Sequence, residues 1–490
     1  MKRGYLFWSL VFFATFLCVV YSVGYYHPDE HWQILEFAIY WNGQTPAESL
    51  PWEFHQKMRP SLQPFIAFIF LKLSNFLYGE YNPFFWTFLL RALSAIFSIY
   101  TVHIFSKNFQ TEISNQNLHK YFWILSFFTW FLIFLHVRFS SETWSAHAWL
   151  LGITYLHHSN KENFPLNYFI AGIWLGLAFV FRYQLGFAIL GVILWIFFIQ
   201  KENPLKKFFA LAMGGLLIFL LSTILDSLFY KEWVLAPYHY FYQNLILKKA
   251  ALFGKEPWYF YLLQMLNSPT SFLNVVYFLS SLYFIIKFPK HLITWTILPF
   301  ILIHLFINHK EVRFLFPVFV FLPFLLIKTL DRLLIFSKSS FIILNIWLIL
   351  HLPFSLKTIF SYLQPQVIMY QLAWKYKHEN VILLFRKNQH DKECVANNNY
   401  NPQSQCLKHN VYLKSNMKSW YYCTNDSIVV FQPYHVALIE YNDFRDKKNI
   451  PNEYRRVYSF YPEWLINYFN FGGWVNRTSF LEIYEYRWKD

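Results

Sequence analysis

Ionisable residues are scarce in this chain of 490 residues, and those present gather in short runs. The first run is His27-Pro28-Asp29-Glu30-His31-Trp32-Gln33, two adjacent carboxylates flanked by imidazoles. Later runs are His136 to Glu142, Arg182-Tyr183-Gln184, Asp226 to Trp233 and His309-Lys310-Glu311-Val312-Arg313. A carboxylate beside a basic cluster suits a displacement in which an acceptor hydroxyl attacks a sugar carbon and a phosphate leaves. The carboxylate takes the hydroxyl proton, and Arg or Lys stabilises the departing negative charge. A glycosidase needs a second carboxyl group to protonate a poor leaving group, whereas a lipid phosphate departs as a stabilised anion. One base is enough: Asp29 is preferred and Glu30 is the close alternative.

Each run also has a plainer reading. Proline at the first helical position with acids in the first turn is what any helix start favours. Lys310 and Arg313 would snorkel, and Arg138 and Arg182 would anchor span ends. Trp32, Trp233, Trp258 and Tyr259 fit an interfacial belt as well as a sugar platform. Against the plain reading, the acid pair directly follows an apolar run and keeps His27 and His31 as company. Lys310 and Arg313, moreover, fall on the side of the membrane that basic residues avoid. The chain has no Gly-rich phosphate loop, no metal-spaced His/Cys cluster and no Ser-His-Asp pattern, so neither a metal nor a cofactor is expected.

The elements that must position these runs are membrane helices. The chain is 56% hydrophobic and 14% charged, with 58 Phe, 35 Tyr and 20 Trp, too much apolar surface for water. A bilayer core roughly 30 Å thick takes about 20 apolar residues per helix. Such runs predict spans near 5–26, 84–105, 121–137, 144–158, 167–182, 186–200, 207–229, 271–288, 292–308, 314–330 and 340–352, about 11 crossings. The apolar segment 61–78 is read as re-entrant or interfacial, because a crossing there would put most basic turns outside. Starting from cytoplasmic Lys2 and Arg3, this arrangement gathers the ionisable runs at the outer ends of the spans. Charged groups at membrane depth are costly and mark pathways or sites. The formal charge of +15 is scattered over loops rather than drawn into a stripe, which argues against nucleic acid and for anionic headgroups and phosphates as partners.

The composition turns polar near residue 360. The expected domains are residues 1–355, membrane-embedded with outer loops at 27–60 and 230–270, and 356–490, a small extracytoplasmic α/β or α+β domain. Within the latter, Val381 to Phe385 and Ile428 to Gln432 read as strands and Pro462 to Phe469 as a short helix. Cys394, Cys406 and Cys423 allow one disulfide there, and sequons start at Asn425 and Asn476.

Four ordered motifs, HPDEHWQ, DSLFYKEW, FGKEPWYFYL and HKEVRFLFPV, together resemble glycosyltransferase family 22 between Tyr5 and Leu330. That family holds the dolichyl-phosphate-mannose-dependent enzymes of N-glycan precursor and GPI-anchor assembly. The resemblance implies a GT-C fold and inverting transfer of mannose from a polyprenyl phosphate to a lipid-linked glycan, with catalysis at Asp29 and Glu30. The HKEVRF segment maps His309, Lys310, Glu311 and Arg313 onto the family's matching motif, and by physical role donor and phosphate contacts are assigned to His309, Lys310 and Arg313, together with Arg138 and Arg182. Substrate contacts are then expected from His27, His31, Gln33, Glu142, Asp226, Trp258 and Glu311. The expected location is the endoplasmic reticulum membrane in a eukaryote or the inner membrane in a bacterium, with the site on the luminal or periplasmic face. One motif departs: where family members often show Arg-Thr-x-Ser-Asn-x-x-Glu, this chain reads Arg138-Phe139-Ser140-Ser141-Glu142-Thr143-Trp144-Ser145. The competing readings are a polyprenyl-phosphate sugar other than mannose, and a transporter, whose repeated halves and midplane site are not seen in the sequence.

Overall fold

The computed structural model describes residues 2–157, 164–333, 338–360, 365–386, 410–412, 417–422, 435–441, 453–459, 468 and 481–487. The chain forms two compact units, one of Met1–Ser22, His27–Gln44 and Leu50–Ser361, the other of Val23–Tyr26, Thr45–Ser49 and Tyr362–Asp490.

The first unit is helical. Its longer helices are α1 (Lys2–Tyr21), α2 (Leu62–Tyr78), α3 (Pro83–Phe109), α4 (Gln116–Phe128), α5 (Ser141–His157), α6 (Phe164–Phe181), α7 (Gly186–Trp195), α8 (Pro204–Tyr230), α9 (Ser271–Lys287), α10 (Leu292–Phe306), α11 (Leu322–Leu333) and α12 (Lys338–Phe360). By length and hydropathy four of the described helices can each cross a membrane, or six if each of two bent pairs is one span. The chain is thus a membrane protein, and among the described residues not every one of the 11 expected spans is a single long helix. Two of these departures have local causes. The expected span at 121–137 breaks because α4 stops at Thr129 and only a turn, Leu132–Leu135, follows. The expected spans from 271 to 308 form one pair, α9 and α10, bent by 119°. Segment 61–78 is a regular 17-residue helix ended by Gly79 in the left-handed region, and Trp86 Nε1 of α3 donates to its Ala67 carbonyl at 2.9 Å.

Helix α5 runs through the middle of this unit, and Trp144 to Ile153 are buried without a break. A helix buried on all sides shows no amphipathic stripe. Its Trp149 Nε1 donates to Thr296 Oγ1 at 3.0 Å, and Thr296 Oγ1 donates on to the Ala188 carbonyl at 3.0 Å, joining α5, α10 and α7. Helices α6 and α8 meet along glycines: a Cβ on Gly172 would lie 2.1 Å from the Leu211 carbonyl oxygen, and one on Gly214 would lie 2.1 Å from that of Phe169. Small residues let helix backbones approach this closely. At the end of α5 remote from Glu142, His157 Nδ1 and His291 Nε2 lie 3.2 and 2.9 Å from the two carboxylate oxygens of Glu112.

The second unit holds a five-stranded mixed sheet, order β2-β1-β3-β5-β4, from β1 (Val381–Arg386), β2 (Met417–Tyr422), β3 (Val436–Tyr441), β4 (Arg455–Ser459) and β5 (Glu482–Arg487). Strand β1 runs parallel to β2 and β3, while β5 is antiparallel to β3 and β4. The helix Pro365–Ala373 buries Val367, Met369 and Tyr370, and the Tyr370 ring packs on Phe385 with centroids 5.5 Å apart. The segment 428–432, the three tail cysteines, both sequons and all of 462–469 but Tyr468 lie outside the described residues.

Candidate active site

The segment after α1 starts a helix as its sequence dictates. His27 is the N-cap, its Nδ1 accepting from the Asp29 amide at 3.2 Å, and Pro28 follows at the first helical position. The chain continues as one helical stretch through a π turn, His31–Leu35, to Trp41. This start turns the neighbouring acids to different partners. Glu30 is 8% exposed and receives both Nε, at 3.0 Å, and Nη2 of Arg138, whose Nη1 donates to the Ser22 carbonyl at 3.0 Å. Asp29 stays more open, its side chain 27% exposed, and accepts from Arg313 Nη1 at 2.8 Å.

Arg313 gathers three carboxylates. Besides Asp29, its Nη1 reaches Glu142 Oε1 at 3.1 Å, and its Nε and Nη2 bind the two oxygens of Glu311. Glu142 Oε1 also accepts from Arg182 Nη1 at 2.7 Å. Glu311 in turn accepts from His309 Nε2 at 2.8 Å and lies 3.2 Å from His27 Nε2. Burial alone would raise the Asp29 carboxyl, but the Arg313 guanidinium and the His27 hydrogen bond outweigh it and hold it well below the usual carboxylate range. Glu142 and Glu311 shift downward too, burial being overcome by Arg182 and Arg313 for the first and by Arg313 for the second.

The other expected site residues stand apart from this cluster. His31 is fully buried with Nε2 3.0 Å from Glu36 Oε1, and burial pushes its imidazole down to about 3. Gln33 donates to Glu53 Oε1 at 3.2 Å. Asp226 is buried at the end of α8 and accepts from Ser61 N and Oγ at 2.7 and 2.6 Å. Lys310 turns its ammonium to the backbone carbonyls of Glu256 and Ile307, at 2.8 and 2.5 Å, and so pins the segment around Glu256. Trp258 is 66% exposed against Tyr259.

Arg59 was not among the residues that sequence reasoning singled out. It is enclosed in the first loop, with Nη2 3.6 Å from Glu53 Oε1 and its guanidinium carbon 5.7 Å from the Tyr240 ring centroid. Burial would lower its pKa, but the charges of Asp29 and Glu53 raise it. The sequence signal was an arginine before a proline in a loop, which turns produce routinely. Among the described residues no group of three or more His, Cys, Asp or Glu could hold a metal ion.

A family model described as Alg9-like mannosyltransferase matches residues 5–409, through every element of this site. The chain belongs to that family. Among individual relatives, it is 24% identical over 310 residues to GPI alpha-1,2-mannosyltransferase 3 of Mus musculus, covering 61% of this chain and 53% of the relative. It is 25% identical over 319 residues to GPI mannosyltransferase 3 of Debaryomyces hansenii, covering 63% and 56%. The chain therefore spans about half the length of the curated relatives it matches. The crystal structure of ArnT from Cupriavidus metallidurans bound to undecaprenyl phosphate aligns with 70% of this chain and 62% of its own at 10% identity and a TM-score of 0.49, a likeness too loose to carry an argument.

Proposed function

We propose that this family member is an inverting mannosyltransferase of GT-C architecture that moves mannose from dolichyl-phosphate-mannose, or a related polyprenyl-phosphate sugar, to a lipid-linked glycan. The observation that carries the reading is the division of labour between the two adjacent acids. Glu30 is committed to Arg138, while Asp29 remains partly open beside an arginine it shares with Glu142 and Glu311. Asp29 then serves as the base for the acceptor hydroxyl. Arg313, with Arg182 behind it, stabilises the charge that develops on the departing lipid phosphate. Because a phosphate is a stabilised leaving group, no second acid is needed.

Family membership supports mannose as the sugar, and the relatives named for GPI assembly make a GPI precursor ending in mannose the first acceptor to try. The site would face the endoplasmic reticulum lumen, or the periplasm in a bacterium. Residues 1–355 would form the catalytic membrane domain and 356–490 an extracytoplasmic one.

The test is transfer of radiolabelled mannose from dolichyl-phosphate-mannose, with GDP-mannose in parallel, by purified wild-type and Asp29→Asn protein given a panel of lipid-linked mannose acceptors. Transfer from the lipid donor alone, lost in Asp29→Asn while donor binding persists, is the expected result. Use of GDP-mannose would overturn the donor assignment, and retention of more than about a few per cent of turnover in the variant would move the base elsewhere.

A further inference from the structure

Phe314 is ringed by polar groups from Arg182 and from the segment 304–313. The guanidinium carbons of Arg182 and Arg313 each stand 5.3 Å from its ring centroid, and the imidazoles of His309 and His304 lie 5.7 and 6.2 Å away. The phenol of Tyr261, in the segment 260–267, feels the charges of both Arg182 and Glu311. Several of these groups keep buried atoms with no hydrogen-bond partner among the described residues: Arg182 Nε and Nη2, His304 Nε2, His309 Nδ1 and the Tyr261 hydroxyl. Arg182 is 7% exposed and His304 is fully buried, so solvent does not satisfy them. Orphaned polar atoms are costly, and so many around one ring call for a ligand or bound water.

The hydrogen bonds already made fix what the free atoms can do. His304 Nδ1 lies 2.7 Å from the Phe300 carbonyl, which can only accept, so Nδ1 carries the proton and Nε2 of the neutral ring presents a lone pair. His309 Nε2 lies 2.8 Å from a Glu311 oxygen, which leaves Nδ1 as the ring atom open to a ligand. The free atoms of Arg182 are donors, and a phenol is both donor and acceptor. A phosphate offers acceptors only and would be repelled by the His304 lone pair. A sugar ring offers hydroxyls that donate and accept, together with C–H faces suited to an aromatic side chain.

We propose that Phe314 centres a sugar-hydroxyl subsite in which Arg182 donates hydrogen bonds, His304 Nε2 accepts one and His309 Nδ1 meets a further hydroxyl. This rests on the sugar-transfer function above and reassigns His309 from phosphate to hydroxyl recognition. The ligand is a hexose with adjacent free hydroxyls, either the sugar being transferred or the terminal sugar of the acceptor.

The test pairs variants with deoxy sugars. Wild-type protein, His304→Phe and His309→Leu are each given the lipid-phosphate sugar, a series of its single-deoxy analogues, and acceptors whose terminal sugar is likewise deoxygenated. In wild type, kcat/KM should fall roughly tenfold for the analogue lacking the hydroxyl that meets the imidazole. The matching variant should be low with the full sugar and fall no further with that analogue. Coupling seen in the donor series places the transferred hexose at Phe314, and coupling in the acceptor series places the acceptor sugar there. Should His304→Phe fail to fold, His309→Leu, whose native side chain is 19% exposed, makes the same measurement. If active wild type and variants lose the same factor with every analogue, the imidazoles hold bound water and the subsite is overturned. A wild type that transfers from no lipid-phosphate sugar overturns the functional reading itself, a result distinct from activity without coupling.

Discussion

Asp29 and Glu30 adjoin in the chain, but the helix begun at His27 sends one to Arg313 and the other to Arg138. Removing each should therefore fail differently. Glu30→Ala would leave Arg138 buried without its carboxylate, a loss of roughly 3–5 kcal/mol of stability for a broken buried pair, seen as a lower unfolding temperature in detergent. Asp29→Asn should unfold at nearly the wild-type temperature and transfer nothing. The pH profile follows from the same contact. Asp29 has its pKa held down, so it stays ionised as pH falls past the ordinary carboxylate range, and wild-type turnover should show no acid limb from Asp29 between about pH 5 and 8. Arg313→Gln removes the main opposing charge; the Asp29 pKa then rises and the acid limb moves to higher pH, alongside poorer use of the phosphate donor. An Arg313→Gln profile that overlays wild type would refute this pairing. The sequence marked both acids and Arg313 because ionisable groups at span ends are conspicuous. It did not separate Asp29 from Glu30, since that depends on contacts with residues more than a hundred positions away.

Among the elements, α6 and α8 depend most on what is missing from their side chains. Gly172 and Gly214 each face a backbone carbonyl that a Cβ would meet at 2.1 Å, and a carbonyl within a helix cannot step aside. Gly214→Ala should already force the pair apart and lower the unfolding temperature by several degrees, whereas Gly4→Ala, with open space around it, should change nothing measurable. Equal effects of the two changes would contradict the close crossing. This seam was not legible in the sequence, where its glycines sit in apolar runs that any span tolerates. The runs themselves were legible, because burial in lipid or protein demands the same residue types. Their breaks were less so: the stop at Thr129 and the 119° bend between α9 and α10 depend on tertiary packing rather than hydropathy.

On the scale of the whole molecule, α5 relates the two ends of the first unit. Glu142 opens it at the candidate site and His157 closes it beside Glu112, roughly 22 Å away at the rise of an α-helix. If the site faces the lumen, a cysteine placed at the exposed Leu252 should react with an impermeant maleimide only from that side, and one placed at the exposed Glu202 only from the cytosol. Labelling of both from one side would overturn the topology. The network at the candidate site has one further consequence. Five acids, Asp29, Glu30, Glu53, Glu142 and Glu311, face four arginines, Arg59, Arg138, Arg182 and Arg313. The positive charge of this network is thus already matched, and a lipid-phosphate donor, if that is the substrate, would take contacts over from resident carboxylates. Long-range attraction would then contribute little to its recruitment, and the concentration of its lipid tail in the bilayer would supply the encounter. Raising ionic strength should leave the apparent donor affinity nearly unchanged, while thinning the donor within the membrane should weaken it in proportion.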